Sequence, residues 1–221
     1  MKKKEIYTIG YAHHSEESFL ELLLKYEINC VVDVRTMAYS GFHPQFNKEV
    51  IRNFLKAHGI AYLHMAESFG IIKTDVSLNT REGYLDFTKL AQTKLFLEGI
   101  KRIENGINKG YRIAFMCAEK DPIDCHRTTL VARKLFELGY VVKHILHDGS
   151  IELHQDLEER MKESFAPKDY QIHLFKEEQT DKERLETAYA KCSKEIFIVN
   201  AKRVLKDDYD YPKPNLENKH E

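Results

Sequence analysis

Two cysteines eight positions apart, Cys117 and Cys125, are followed at once by His126 and Arg127, with Glu119 and Pro122 between them. Each residue type in this run can do chemistry. A thiol at the start of a helix has its pKa lowered, because the first amides are unpaired and the helix dipole is positive there. The same amides, reinforced by a bidentate guanidinium from Arg127, suit an anion. Glu119 or His126 can exchange a proton with a bound molecule, and Cys117 can attack it or line its pocket. Two thiols and an imidazole are also zinc-ligand types. Structural zinc sites usually use closer Cys-x-x-Cys pairs and a fourth ligand is not evident, so no metal is expected.

These residues need elements to hold them. Short β-branched runs alternate with longer segments of helical period, the pattern of an α/β protein with a mainly parallel, Rossmann-like sheet flanked by helices. Strands are predicted at 6–11, 30–36, 60–65, 111–117 and 140–146. Helices are predicted at 15–27 with Ser15 as N-cap, at 47–58, over 84–110 with an interruption near Gly99, at 127–139 and at 150–165. Residues 66–82 read as a long loop. Residues 1–165 are expected to form the main α/β domain. Residues 166–208 are expected to form a small strand, helix and strand extension (YQIHLF, DKERLETAYAKCSKE, EIFIVNAKRVL), and 209–221 a disordered polar tail.

In such a sheet, ligands bind beyond the carboxyl ends of the strands at a topological switch point. Every predicted strand here exits into groups able to bind or react. Gly10, Tyr11, His13 and His14 follow the first strand, Asp33 and Arg35 the second, and His64 and Glu67 the third. Cys117 and Glu119 follow the fourth, and His147 and Asp148 the fifth. The loops at the opposite edge (KYEIN, KAHG, NKG, ELG) are plainer. Asp33 and Arg35 read either as site residues or as an ion pair that ends the strand. His43 and His64 read as ordinary loop or core histidines, and Cys30 and Cys192 as structural.

Composition narrows the partners. The chain's 34 basic and 35 acidic residues nearly cancel, so bulk charge recruits neither nucleic acid nor a membrane surface. No segment approaches the roughly 20 apolar residues of a membrane helix, and the start MKKKEIYTIGY lacks a signal-peptide pattern. A cytoplasmic location with reduced thiols is the expectation.

The stretches IYTIGYAHHSEESFLELL, INCVVDVRT, HPQFN, HGIAYLHM and MCAEKDPIDCHR together resemble the domain-of-unknown-function family 488, over roughly residues 5–150. That resemblance implies a Rossmann-like layered fold and a pocket at Gly10, Tyr11, Asp33, Arg35, Cys117, Glu119, Cys125, His126 and Arg127. It supplies no reaction and no cofactor. Two loops depart from the family pattern, TMAYSGFHPQF after the second strand and ESFGIIK after the third, where only Gly70 of the usual turn remains. A looser, fold-level similarity links the chain to rhodanese-like sulfurtransferases.

Three functions follow as expectations. The first is an enzyme or binding domain for a phosphate-bearing small molecule, a nucleotide or a nucleic-acid end, with Gly10, Tyr11, Asp33, Arg35 and Arg127 as ligand-binding residues and Cys117, Glu119, Cys125 and His126 as catalytic ones. The second is thiol-based sulfur-transfer or redox chemistry. The third is a non-catalytic binding module.

Overall fold

A computed structural model describes residues 4–72, 75–165 and 180–205. Strands β1 (Glu5–Gly10), β2 (Cys30–Asp33), β3 (Ala61–His64), β4 (Ile113–Cys117), β5 (Val141–Ile145) and β6 (Ile151–Leu153) form one sheet in the order β3-β2-β4-β1-β5-β6. The first five run parallel, and β6 is antiparallel to β5. The described α-helices are α1 (Glu16–Lys25), α2 (Lys48–Ala57), α3 (Ala66–Phe69), α4 (Phe87–Leu90), α5 (Lys94–Asn108), α6 (Arg133–Glu137), α7 (His154–Phe165) and α8 (Asp181–Leu205).

The central strands β1, β2 and β4 are buried on both faces, as a parallel sheet covered by helices requires. Along β4, Ala114 and Met116 join Phe19, Leu23 and Leu55 in one core, while Ile113, Phe115 and Cys117 join Phe69, Phe96 and Leu135 in the other. Period-two alternation therefore aims Cys117 at the face that carries α6, α7 and α8.

Ser15 caps α1 as its sequence position suggests, accepting from the Ser18 amide while the Ser18 hydroxyl accepts from the Ser15 amide. A Ser15→Ala protein should lose about 1 kcal/mol, read as a lower urea midpoint with an unchanged slope.

Several boundaries differ from the sequence reading. The break in 84–110 falls at 91–93, and α5 runs through Gly99, which lies against Ser68 and Phe69 with no room for a Cβ. The segment read as one helix from 150 opens as β6. The 66–82 loop contains α3 and a 3-10 turn at Val76–Leu78. The helix after Cys125 begins with π-helical turns, Arg127–Ala132, before becoming α6.

The expected final strand, within EIFIVNAKRVL, is instead the continuation of α8. Tyr189, Cys192 and Ile196 recur on its buried side at helical spacing, whereas Ile198 and Val199 are exposed, so the β-branched run was a misleading signal. The expected strand YQIHLF and the polar tail lie outside the described residues. The α8 helix is anchored by Arg133, which pairs with Glu186 at 2.6 Å and stacks 4.0 Å from the Tyr189 ring, and by Lys162, which pairs with Asp181 at 2.7 Å. Among the described residues, no helix is long and apolar enough to cross a membrane.

Candidate functional site

Strands β1 and β4 are neighbours, with Gly10 paired to Cys117. From their carboxyl ends the chain leaves in opposite directions, β1 towards β2 and β4 towards β5. This is the switch point at which a parallel sheet leaves a crevice. A cavity of about 710 Å³ opens there, walled by Tyr11 and His13 after β1, Phe42 and His43 from the β2–α2 loop, Lys120 after β4, and Glu195 on α8. Its size falls in the range of small-molecule sites. A second cleft of about 50 Å³ shares Tyr11, Ala118 and Glu119 with it and reaches Arg35, Cys117 and His126.

The run from 117 to 127 folds back so that Cys117, Cys125 and His126 bring one Sγ or ring nitrogen each within 4.8 Å of one another. All four cysteines are free and buried. Asp121 caps the 3-10 turn Pro122–Asp124, and Arg160 grips its carboxylate at 2.8 and 2.9 Å, which fixes the loop between the cysteines. Cys125 Sγ accepts the Arg127 amide at 3.4 Å. The His126 Nε2 lies 3.0 Å from the Val34 carbonyl. A carbonyl can only accept, so Nε2 carries a proton, and in the neutral ring Nδ1 turns its lone pair towards Cys125 Sγ, 4.0 Å away.

Burial pushes both thiols up, but the Cys117 thiol, Arg127 and His126 bring Cys125 down to about 6, while Cys117, which donates to it, is driven well above its ordinary value. The pair thus gives up its first proton readily and its second with difficulty. Burial also works against the Glu119 carboxylate. Its contacts with the Cys125 and Cys117 sulfurs, with the charge of Arg127 and of His126 when protonated, overcome this and hold it down at about 2, so Glu119 is ionised.

Arg127 is 0% exposed. Its Nη1 donates to the Glu119 carbonyl at 2.8 Å and its Nη2 to the Lys120 carbonyl at 3.4 Å. The guanidinium therefore shapes the loop from inside and balances the Glu119 charge.

The second predicted pair is equally self-contained. Arg35 reaches the Asp33 carboxylate through Nε at 2.9 and 3.1 Å and through Nη2 at 2.6 Å, and gives Nη2 to the Phe46 carbonyl at 2.8 Å. Its Nη1 donates to the Tyr11 hydroxyl at 3.1 Å, and Tyr11 stacks on Phe46 with ring centres 4.5 Å apart. Burial raises the Tyr11 phenol to about 12, so it stays protonated. Asp33 also accepts from the Tyr62 hydroxyl at 2.6 Å. The ion pair ends β2, and Arg35 also lines the small cleft.

All nine predicted positions thus converge on the joined ends of β1, β2 and β4. Of the histidines read as ordinary, His43 walls the cavity, while His64 faces the Arg35 carbonyl at 2.9 Å. Cys192, read as structural, is buried and borders the cavity. The sequence reading did not single out Lys120, Phe42 or Glu195. His13 carries a signal visible only in the backbone, a φ of 69° at the cavity wall, where a non-glycine residue is uncommon. The turn at Gly70 rests on Thr36, whose hydroxyl accepts from the Ile71 amide at 2.9 Å.

Fold and site together define a mainly parallel α/β protein with a ligand-sized cavity at its topological switch point. The chain belongs to the family described as "Domain of unknown function DUF488", which it matches over residues 15–134. That span holds Asp33, Arg35 and the whole 117–127 run, while Gly10 and Tyr11 precede it. No significant match exists among curated proteins or among solved structures.

Proposed function

We propose that this protein is an enzyme acting on a small molecule seated in the switch-point cavity, with Cys117, Glu119 and His126 at the reacting end. The observation that carries this reading is the shared wall. Tyr11, Ala118 and Glu119 border both the large cavity and the small cleft lined by Cys117 and His126. A molecule lodged in the first can therefore place one group in the second. A phosphate-bearing ligand draws support from Lys120 and from the imidazoles of His13 and His43. It draws less from Arg35 and Arg127, whose guanidinium groups are engaged by Asp33 and by loop carbonyls.

Thermal melts against sulfate, phosphate, mononucleotides and short oligonucleotides test the ligand class. A ligand that binds only the native state stabilises it by about 2.7 kcal/mol at a hundredfold excess over its dissociation constant. One class should raise the melting temperature in wild type and do so at least tenfold less potently in Lys120→Ala, an exposed position whose loss leaves the core untouched. An absence of any shift would count against an anionic ligand.

A second reading, thiol chemistry, is favoured by Cys117 facing the cleft with Cys125 behind it. A persulfide on Cys117, found by intact mass after treatment with a sulfane-sulfur donor, would put it first.

A further inference from the structure

We propose that Cys117, Cys125 and His126 bind a thiophilic divalent metal ion, with zinc the ion their donor set selects. This goes beyond the small-molecule reading and does not rest on it.

Three independent features of the geometry support the site. First, the donors are already gathered. Zinc bonds of about 2.3 Å to sulfur and 2.0–2.1 Å to nitrogen put tetrahedral donors roughly 3.5–3.8 Å apart. Cys125 Sγ and His126 Nδ1 stand at 4.0 Å, and all three donor atoms lie within 4.8 Å, so shifts of about an ångström or less complete the coordination. Second, the outer contacts are those of a ligand set. The Val34 carbonyl takes the Nε2 proton of His126 and so fixes Nδ1 as the free donor. The Arg127 amide points at Cys125 Sγ and favours the thiolate. Partners of this kind orient metal ligands and set their basicity.

Third, the formal charges match, since two thiolates balance a dication in a buried region where an uncompensated charge is costly. The small cleft touches Cys117 and His126 and provides access from the side of Tyr11 and Arg35. Three protein donors with a fourth position facing a cleft match the open sites of catalytic zinc rather than the closed four-ligand sites of structural zinc.

The test uses the full-length, reduced, metal-free protein titrated with Co²⁺ and then Zn²⁺. The expected result is one equivalent bound, with a thiolate-to-cobalt absorption band in the near ultraviolet that Zn²⁺ abolishes by displacement. Cys117→Ser and Cys125→Ser should each weaken binding at least a hundredfold, while Cys30→Ser and Cys192→Ser, whose sulfurs lie outside the cluster, should bind as wild type does. Should either site variant fail to fold, site-resolved alkylation of wild type decides: Zn²⁺ should slow labelling of Cys117 and Cys125 and leave Cys30 and Cys192 unchanged. Absence of a thiolate-to-cobalt band, a band that survives both site substitutions, or equal labelling with and without Zn²⁺ would overturn the proposal. None of these readouts uses a small-molecule ligand, so this site and the proposed activity stand or fall separately.

Discussion

A Gly10→Ala protein should be destabilised by about 3 kcal/mol or more, or fail to accumulate as soluble protein. The added Cβ would stand 1.9 Å from the Glu119 carbonyl oxygen, 2.9 Å from its carbon and 3.2 Å from Arg127 Nη2. Relief by a side-chain rotation is closed, because the nearest atoms are backbone. Either β1 must leave β4 or the 118–120 loop must move, and that loop holds Glu119 in place and accepts both guanidinium bonds of Arg127. Close approach, rather than an unusual dihedral, is what requires glycine here. Gly41→Ala is the matched control, since a Cβ there meets nothing within 4 Å. For a chain of this size 3 kcal/mol corresponds to a melting shift of about 6–12 °C. A Gly10→Ala protein with the midpoint of the Gly41→Ala control would show that the loop yields freely and that Gly10 does not set the geometry of the site.

Gly10 also marks how far the sequence reaches. A glycine ending a buried strand beside a Tyr-containing loop reads as a pocket position, and the strand runs around it read as a parallel sheet, because apolar continuity and period are local properties. The contact that makes Gly10 necessary is with Glu119, which is 109 positions away and becomes its neighbour only once β1 pairs with β4. Arg127 is the same lesson inverted. At the start of a helix its type suggests a hand held out to an anion, yet the fold turns it inward onto two loop carbonyls. Gly99 reads as a break because glycine is a weak helix former. It sits inside a continuous helix because Phe69 occupies the space a side chain would need. The three residues of β6 carry too little period to be told from the first turn of α7. The seven residues between Cys117 and Cys125 argued against a metal on spacing alone; a 3-10 turn and the Asp121–Arg160 pair fold them back so that the two cysteines meet, which spacing does not reveal.

Acidification from pH 7.5 to 5 should cost the native state about 4 kcal/mol, and two buried histidines are the source. Thr8, His144, His154, Tyr189 and Glu158 form one hydrogen-bonded chain from β1 through β5 and α7 to α8, with successive contacts of 2.8, 3.0, 3.0 and 2.7 Å. The Tyr189 hydroxyl donates to Glu158, so it accepts from His154 Nε2. His154 Nδ1 then accepts from His144 Nε2, and His144 Nδ1 accepts from Thr8. Every proton in the chain is assigned with both rings neutral, and a second proton on His154 would set its Nδ1–H against the Nε2–H of His144. Burial drives His144 well below its ordinary value, aided by repulsion from any proton on His154 and by the charges of Arg127 and Arg160. Burial, with Arg133, takes His154 down to about 3. A base whose folded pKa is depressed destabilises the fold as pH falls through its unfolded value near 6.5, because the unfolded chain takes up the proton and the native chain does not. Over this window each histidine contributes about 2 kcal/mol. His126, whose value is raised by the Cys125 thiolate despite burial, works in the opposite direction, while Cys125, brought down to about 6, loses that thiolate in the same window, so these two neighbours offset one another in part. Glu119 enters only below its unfolded carboxylate range. Urea midpoints at pH 7.5, 6.5 and 5 read the effect, and His154→Gln should remove about half of the pH dependence. Stability that stays level across that range would mean that the two rings accept protons without breaking the chain, and that α8 is held to the sheet by Arg133 and Tyr189 rather than by neutral imidazoles.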